Sequence, residues 1–302
     1  MTPTTLRVLA AAALLGACDP QTVEAVTSTS CLADATGGAC TGSGGISGSG
    51  GATTSGGADA SGGADASGGA AIAGGPSTGV RPLCRYSFDG QGTQVVDSEG
   101  HCADGTVVNT ELTGTGEVVL SGGDEYVDLP NQLLDKVESA TFESWLSWDG
   151  GNAWQRIFDF GEDETGLDGS RSAPPRDYFF FTVKNAQRSV MRVTYMRPGG
   201  NELILDAQTA FPISAAPHHV AVVVDTSNRA IRLYLDGEVQ ASSPFSASLG
   251  DIYDINNWLG RSQYTPDPSL SGRYLEFRVY DVALTPNQVR TSYNAGPDAT
   301  FQ

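Results

Sequence analysis

The side chains able to do chemistry in this chain are few and unevenly placed. Histidine occurs only at His101, His218 and His219. The adjacent pair suggests a metal or catalytic site, but it opens a run of period-two alternation. Consecutive strand residues point to opposite faces, so the two imidazoles cannot grip one ion. His101 stands in a polar stretch with no obvious serine or cysteine partner. Among the acids, Glu162-Asp163-Glu164 sits in a Gly-rich loop without β-branched neighbours, while Glu143 and Glu276 are lone acids within their strands. Aromatic and arginine side chains are the better prospects. Trp148, Trp154, Arg156, Trp258, Arg261 and Tyr264 fall near predicted strand ends. Rings of this kind stack on the apolar face of a sugar, and planar polar groups bond its hydroxyls. With the Asn256-Asn257-Trp258 stretch and the loop 162–176, these residues give the ligand candidates Trp154, Arg156, Asn257, Trp258, Arg261 and Tyr264. Trp145 is expected in the core.

The elements that must hold these side chains are strands. In the stretch 218–242, His218, Val220, Val222 and Val224 fall on one face, as do Ile231, Leu233 and Leu235 of the next segment. Asp236-Gly237 supplies the residues that a tight hairpin turn needs, and 238–242 returns as a polar outer strand. Short alternating runs at 84–90, 95–96, 106–108, 118–120, 126–129, 141–148, 154–160, 178–183, 190–196, 203–205, 257–260 and 274–280 are separated by turn residues. In the last of them, Leu275, Phe277 and Val279 share a face. Thr285 and Gln288 then form a capping box, Pro286 takes the first helical position, and Gly296-Pro297 stops the helix. Many short strands without intervening helices predict an all-β fold of two stacked antiparallel sheets.

Composition confines that fold to residues 82–302. Most of the 38 glycines lie in the first quarter of the 302-residue chain. Residues 41–78 are nearly all Gly, Ser, Ala and Thr, and the hexamer SGGADA occurs twice. Such a stretch buries too little apolar surface to offset chain ordering and is expected to be a disordered linker with a reach of roughly 35 Å. Seventeen basic against 35 acidic residues, a net charge of −18, leave no clustered cations for nucleic acid.

Arg7, the apolar run 8–15 and Leu15-Gly16-Ala17-Cys18 resemble the lipobox of bacterial lipoprotein signal peptides. The run is too short to span a bilayer, which takes about 20 residues. The resemblance implies a signal peptide over 1–17, a lipid on Cys18, and a linker over 18–81. It places the protein at the bacterial cell envelope, with the outer membrane favoured, and makes the anchor its only membrane contact. Export suits the four remaining cysteines, an even number. Local pairing joins Cys84 to Cys102 and Cys31 to Cys40, with free thiols as the alternative.

Seven segments in order carry a further resemblance: Tyr86-Ser87-Phe88-Asp89-Gly90, Thr141-Phe142-Glu143-Ser144-Trp145, Ile157-Phe158-Asp159-Phe160-Gly161, His218-His219-Val220-Ala221, Leu233-Tyr234-Leu235-Asp236-Gly237, Trp258-Leu259-Gly260-Arg261, and Glu276-Phe277-Arg278-Val279-Tyr280 before Leu284-Thr285. Over 83–296 the chain resembles the laminin G-like domains of the concanavalin A-like lectin and glucanase fold. The resemblance implies a jelly-roll β-sandwich, makes the histidine pair strand-start residues, and points to an adhesion or recognition module that binds glycan or protein. It also makes calcium the one expected cofactor: Asp97, Gly100 and Asp104 match a family loop, and Glu276 an acid on a late strand. Leu275 stands where many relatives carry Asp. Two other readings of the fold stay open. A polysaccharide-acting glycoside hydrolase would need two carboxylates on one strand face, a signature that this chain lacks; a purely structural envelope protein would need no ligand.

Overall fold

The computed structural model describes residues 79–163 and 177–299. In chain order its strands are β1 (Cys84–Tyr86), β2 (Gln91–Gly92), β3 (Gln94–Val95), β4 (Gly105–Val108), β5 (Leu112–Thr113), β6 (Val118–Ser121), β7 (Tyr126–Leu129), β8 (Ala140–Trp148) and β9 (Arg156–Gly161). Then come β10 (Tyr178–Thr182), β11 (Arg192–Met196), β12 (Leu203–Asp206), β13 (Ser214–Asp225), β14 (Ala230–Leu235), β15 (Glu238–Pro244), β16 (Asn256–Leu259) and β17 (Ser271–Tyr280), followed by helix α1 (Pro286–Ala295). The expected all-β jelly-roll sandwich is what they build. One sheet runs β1-β17-β8-β13-β14-β15 with β6 also against β17, the other runs β12-β11-β10-β9-β16-β7-β4-β3, and β2 with β5 makes a separate ribbon. The lipobox, Cys18, the pair Cys31 and Cys40, the linker 41–78 and most of the loop 162–176 lie outside the described residues.

Alternation decides which side chains meet between the sheets. In the central hairpin Val222 faces Leu233 and Val224 faces Ile231 across β13 and β14, and all four are fully buried. Asp236 and Gly237 both have positive φ, 50° and 76°, which lets two residues reverse the chain. Phe142 of β8 meets Phe158, Phe160 and Phe179 of the opposite sheet at centroid separations of 5.4–5.7 Å. Truncating one such ring to alanine typically costs about 3–5 kcal/mol. Cys84 and Cys102 are joined as a disulfide, with Cα atoms 5.6 Å apart.

In β17 the pattern departs from simple alternation. The register against β8 shifts between Tyr274 and Glu276, so Leu275 is an unpaired bulge and Tyr274, Phe277 and Val279 are the residues that face the interior. Glu276, Arg278 and Tyr280, opposite in parity to Phe277 and Val279, lie on the outer face of the seven-stranded sheet, beside Glu143, Trp145 and His219. Trp145 is buried as expected, but here and not between the sheets: it packs against His219 at 4.7 Å and under the Arg278 guanidinium at 4.4 Å. Helix α1 covers this face. Its capping box and first-turn proline are those of the sequence, and Ser292 donates to the Glu143 carboxylate at 2.8 Å. Arg278 links Glu143 to Glu276, and Arg85 and Arg278 both donate to the Pro297 carbonyl.

Candidate ligand-binding face

The outer face of the eight-stranded sheet has no helix on it among the described residues. Its strand register puts Thr106, Asp128, Trp258, Asp159, Phe180, Thr194 and Ile204 in one row across six strand pairings. A loop, 261–269, folds over the middle of that row. Gly260 starts it at φ 84°, where a side chain would strike Leu120, and the Leu270 amide closes it on the Gly260 carbonyl at 2.8 Å. The loop is fastened to Asp159: the Gln263 amide donates to its Oδ2 at 3.0 Å and the Gln263 side chain to its carbonyl at 3.1 Å.

Arg156 runs beneath this loop and is almost wholly buried. Its Nε donates to Asp159 at 2.9 Å, Nη1 to the Trp154 carbonyl at 2.6 Å, and Nη2 to Asp267 at 2.7 Å. The guanidinium lies 4.0 Å from the centre of the Phe180 ring. Burial pushes the Asp159 carboxyl up to about 6, more than the Arg156 charge and the Gln263 amide bring it down, and the neighbouring Asp267 charge adds to the rise. Its Oδ1 has no hydrogen-bond partner.

Above this floor is a cavity of about 220 Å³ lined by Trp154, Arg156, Tyr178, Phe180, Glu202, Tyr264 and Asp267. Tyr178 donates to Glu202 at 2.9 Å and meets Tyr264 edge to face at 5.8 Å, so one wall is a continuous polar and aromatic strip. Trp154 forms the other side. It was expected within a strand, but β9 begins at Arg156 and Trp154 has φ 73°, a left-handed conformation seldom tolerated by a bulky residue. The Lys184 carbonyl accepts from its amide at 2.9 Å, and its ring lies 5.8 Å from the Arg156 guanidinium and 5.7 Å from that of Arg192.

Three of the six ligand candidates, Trp154, Arg156 and Tyr264, therefore share one cavity. Trp258 and Arg261 lie on the far side of the loop, with the Arg261 guanidinium 4.5 Å from the Trp258 ring and 4.6 Å from the Tyr126 ring. Asn257 is a correction. It neighbours Trp258 on a strand and so points the opposite way, where it is fully buried and donates to the Pro130 carbonyl and the Asp254 carboxylate. Trp148 is likewise buried, its indole bonded to Gln155. The sequence reading missed Tyr178, Phe180, Glu202 and Asp267.

The calcium candidates do not converge either. The Asp97 carboxylate accepts four backbone amides, from Arg85, Glu99, His101 and Cys102, which use up its lone pairs. Asp104 accepts from the Asp97 amide and the Gln94 side chain, and the Gly100 amide from its own side donates to the Asp97 carbonyl. Glu276 sits apart, in the ion pairs with Arg85 and Arg278. Among the described residues no three His, Cys, Asp or Glu gather as ligands for an ion. The histidines separate as their parity requires: His218 pairs with Asp236 at 2.8 Å and His219 with buried Glu143 at 2.8 Å.

Residues 121–290 match the family model of the concanavalin A-like lectin/glucanases superfamily. The chain belongs to that superfamily. Its sandwich superposes on domain 4 of AbnA, a GH43 extracellular arabinanase from Geobacillus stearothermophilus solved with arabinotriose, at a TM-score of 0.50 and 19% identity over 70% of this chain and 97% of that one. A Trypanosoma rangeli sialidase in complex with sialic acid gives a TM-score of 0.50 and 15% identity over 70% of this chain and 32% of the sialidase. A Ruminococcus gnavus sialidase CBM40 module bound to sialyllactose gives 0.48 and 21%, covering 58% and 94%. The two likenesses at a TM-score of 0.50 establish the shared fold. No curated protein sequence matches the chain significantly.

Proposed function

We propose that this superfamily member is a non-catalytic glycan-binding module, displayed at the bacterial envelope by a lipid on Cys18 and the linker that follows. The observation that carries the binding site is Trp154. Strained backbone persists where surrounding structure enforces it, and such positions cluster at ligand clamps. Here the strain holds an indole beside Tyr178, Tyr264 and Glu202, an arrangement of stacking faces and hydrogen-bond acceptors suited to a sugar. The absence of turnover from the reading is supported by Asp159: the one carboxyl near the cavity raised to about 6 is sealed under the loop and bonded to Arg156 and Gln263, not presented to a ligand.

A glycan array with arabinotriose and sialyllactose among its probes, read with and without calcium, tests the proposal. Saturable binding is expected, with affinity reduced at least tenfold in Trp154→Ala and the positive glycans recovered uncleaved. Shortened products would make the protein a hydrolase, and no saturable binding to any glycan would leave it a structural envelope protein. For the anchor, Cys18→Ser is expected to move the protein from the membrane fraction to the soluble one.

A further inference from the structure

Tyr264 and Asp267 line two cavities, one on each side of the loop 261–269. Among the described residues, the only cation lining the Trp154 cavity is Arg156. All three nitrogens of Arg156 are engaged, and Arg192 is spent on Asp206 through Nε at 2.6 Å and Nη2 at 3.0 Å. What remains there is rings, a phenol and the carboxylates of Glu202 and Asp267, which accept from the hydroxyls of a neutral sugar and repel an anion.

The second cavity, of about 350 Å³, differs in one respect. Arg261 is exposed at its rim and, among the described residues, makes neither a hydrogen bond nor an ion pair. The guanidinium is nonetheless held. It lies over both Tyr126 and Trp258, and these rings meet each other edge to face at 5.6 Å. Burial raises the carboxyl of the neighbouring Asp128, against the opposing effects of Trp258 and Arg261. A guanidinium oriented by ring stacking keeps its edge donors free, and that planar fork matches the two oxygens of a carboxylate. Asp124 and Asp267 also line the cavity, so no general positive field draws anions to it. Recognition has to come from the geometry of the single fork.

We infer that this cavity is a second subsite, which takes the carboxylate of an acidic sugar through Arg261 while the Trp154 cavity holds a neutral sugar of the same chain. The inference rests on the glycan-binding reading and names its ligand class. A binding site spanning both sides of Tyr264 selects oligosaccharides in which a carboxylated unit neighbours an uncharged one.

The test uses the full chain and compares two acidic probes in which the carboxylated unit neighbours an uncharged one, α2,3- and α2,6-sialyllactose, each with its methyl ester, which removes the charge and keeps the sugar; arabinotriose reports on the neutral cavity. At least one acid is expected to bind ten times more tightly than its ester. In Arg261→Gln that ratio falls to about one, and in Arg261→Lys, which keeps the charge but loses the fork, it falls most of the way. A merely structural Arg261 would shift acid and ester together and leave the ratio unchanged. An unchanged ratio, or equal binding of acid and ester by the wild-type protein, overturns the subsite while arabinotriose binding still upholds the Trp154 cavity. Failure of every probe, arabinotriose included, overturns both.

Discussion

Trp154 holds a conformation that costs a non-glycine residue on the order of 1–3 kcal/mol, and glycine adopts it freely. Trp154→Gly is therefore expected to keep or raise the melting temperature while abolishing glycan binding. A fall in melting temperature together with intact binding would make the indole a packing residue. Asp159 is the second test at this scale. Its folded value, about 6, lies above the ordinary range, so the folded state holds the proton more tightly. Stability from this group is complete only well below the ordinary value of 3.8 and is lost as the pH rises through 6. Measured by urea denaturation, wild type should lose about 2 kcal/mol relative to Asp159→Asn between pH 4 and pH 7. Much of the site was legible because indoles and arginines at strand ends are conspicuous. Tyr178 and Phe180 were not, since the run Tyr178–Thr182 is buried on both faces and reads as core. Asn257 could have been placed by parity alone, for it cannot share a face with Trp258.

Among the elements, α1 is where sequence and structure agree most closely and where the sequence was also most silent. The capping box and terminal glycine are local signals and could be read directly. What the helix covers could not, because Glu143 and Glu276 are joined through Arg278 across more than 130 residues, and parity puts Arg278 on the outer face without naming its partners there. Burial acts to raise the Glu143 carboxyl, but the His219 hydrogen bond and the charges of His219 and Arg278 outweigh it and hold the group below its usual range. A lowered folded value means stabilisation that is complete above about pH 5 and lost as the pH falls through that value. Glu143→Gln should thus cost about 3–5 kcal/mol at pH 7, the usual penalty for breaking a buried pair, and clearly less at pH 3. Equal costs at the two pH values would deny the carboxylate its charge-dependent role. The Asp97 loop gives the converse expectation. With its carboxylate already saturated by four amides, millimolar calcium should leave the melting temperature unchanged, whereas a rise would show that the loop rearranges to bind.

At the scale of the whole molecule the division of labour between the two sheets matters most. Period-two patterning was enough to predict the sandwich, because each sheet buries one face against the other and the interior alternates accordingly. It could not say which outer face is closed, since that depends on where ten residues of helix come to lie after the last strand. The helix seals one side, and the row from Thr106 to Ile204 is left on the other. Among the described residues each copy offers one sheet face without a helix on it. On the proposed reading, firm attachment to a glycan surface comes from numbers: many weak contacts made in parallel by neighbouring copies that share the proposed anchor. Beads coated at increasing density should show retention on a positive glycan that climbs far more steeply than in proportion to the coating, and a linear response would mean that single copies suffice.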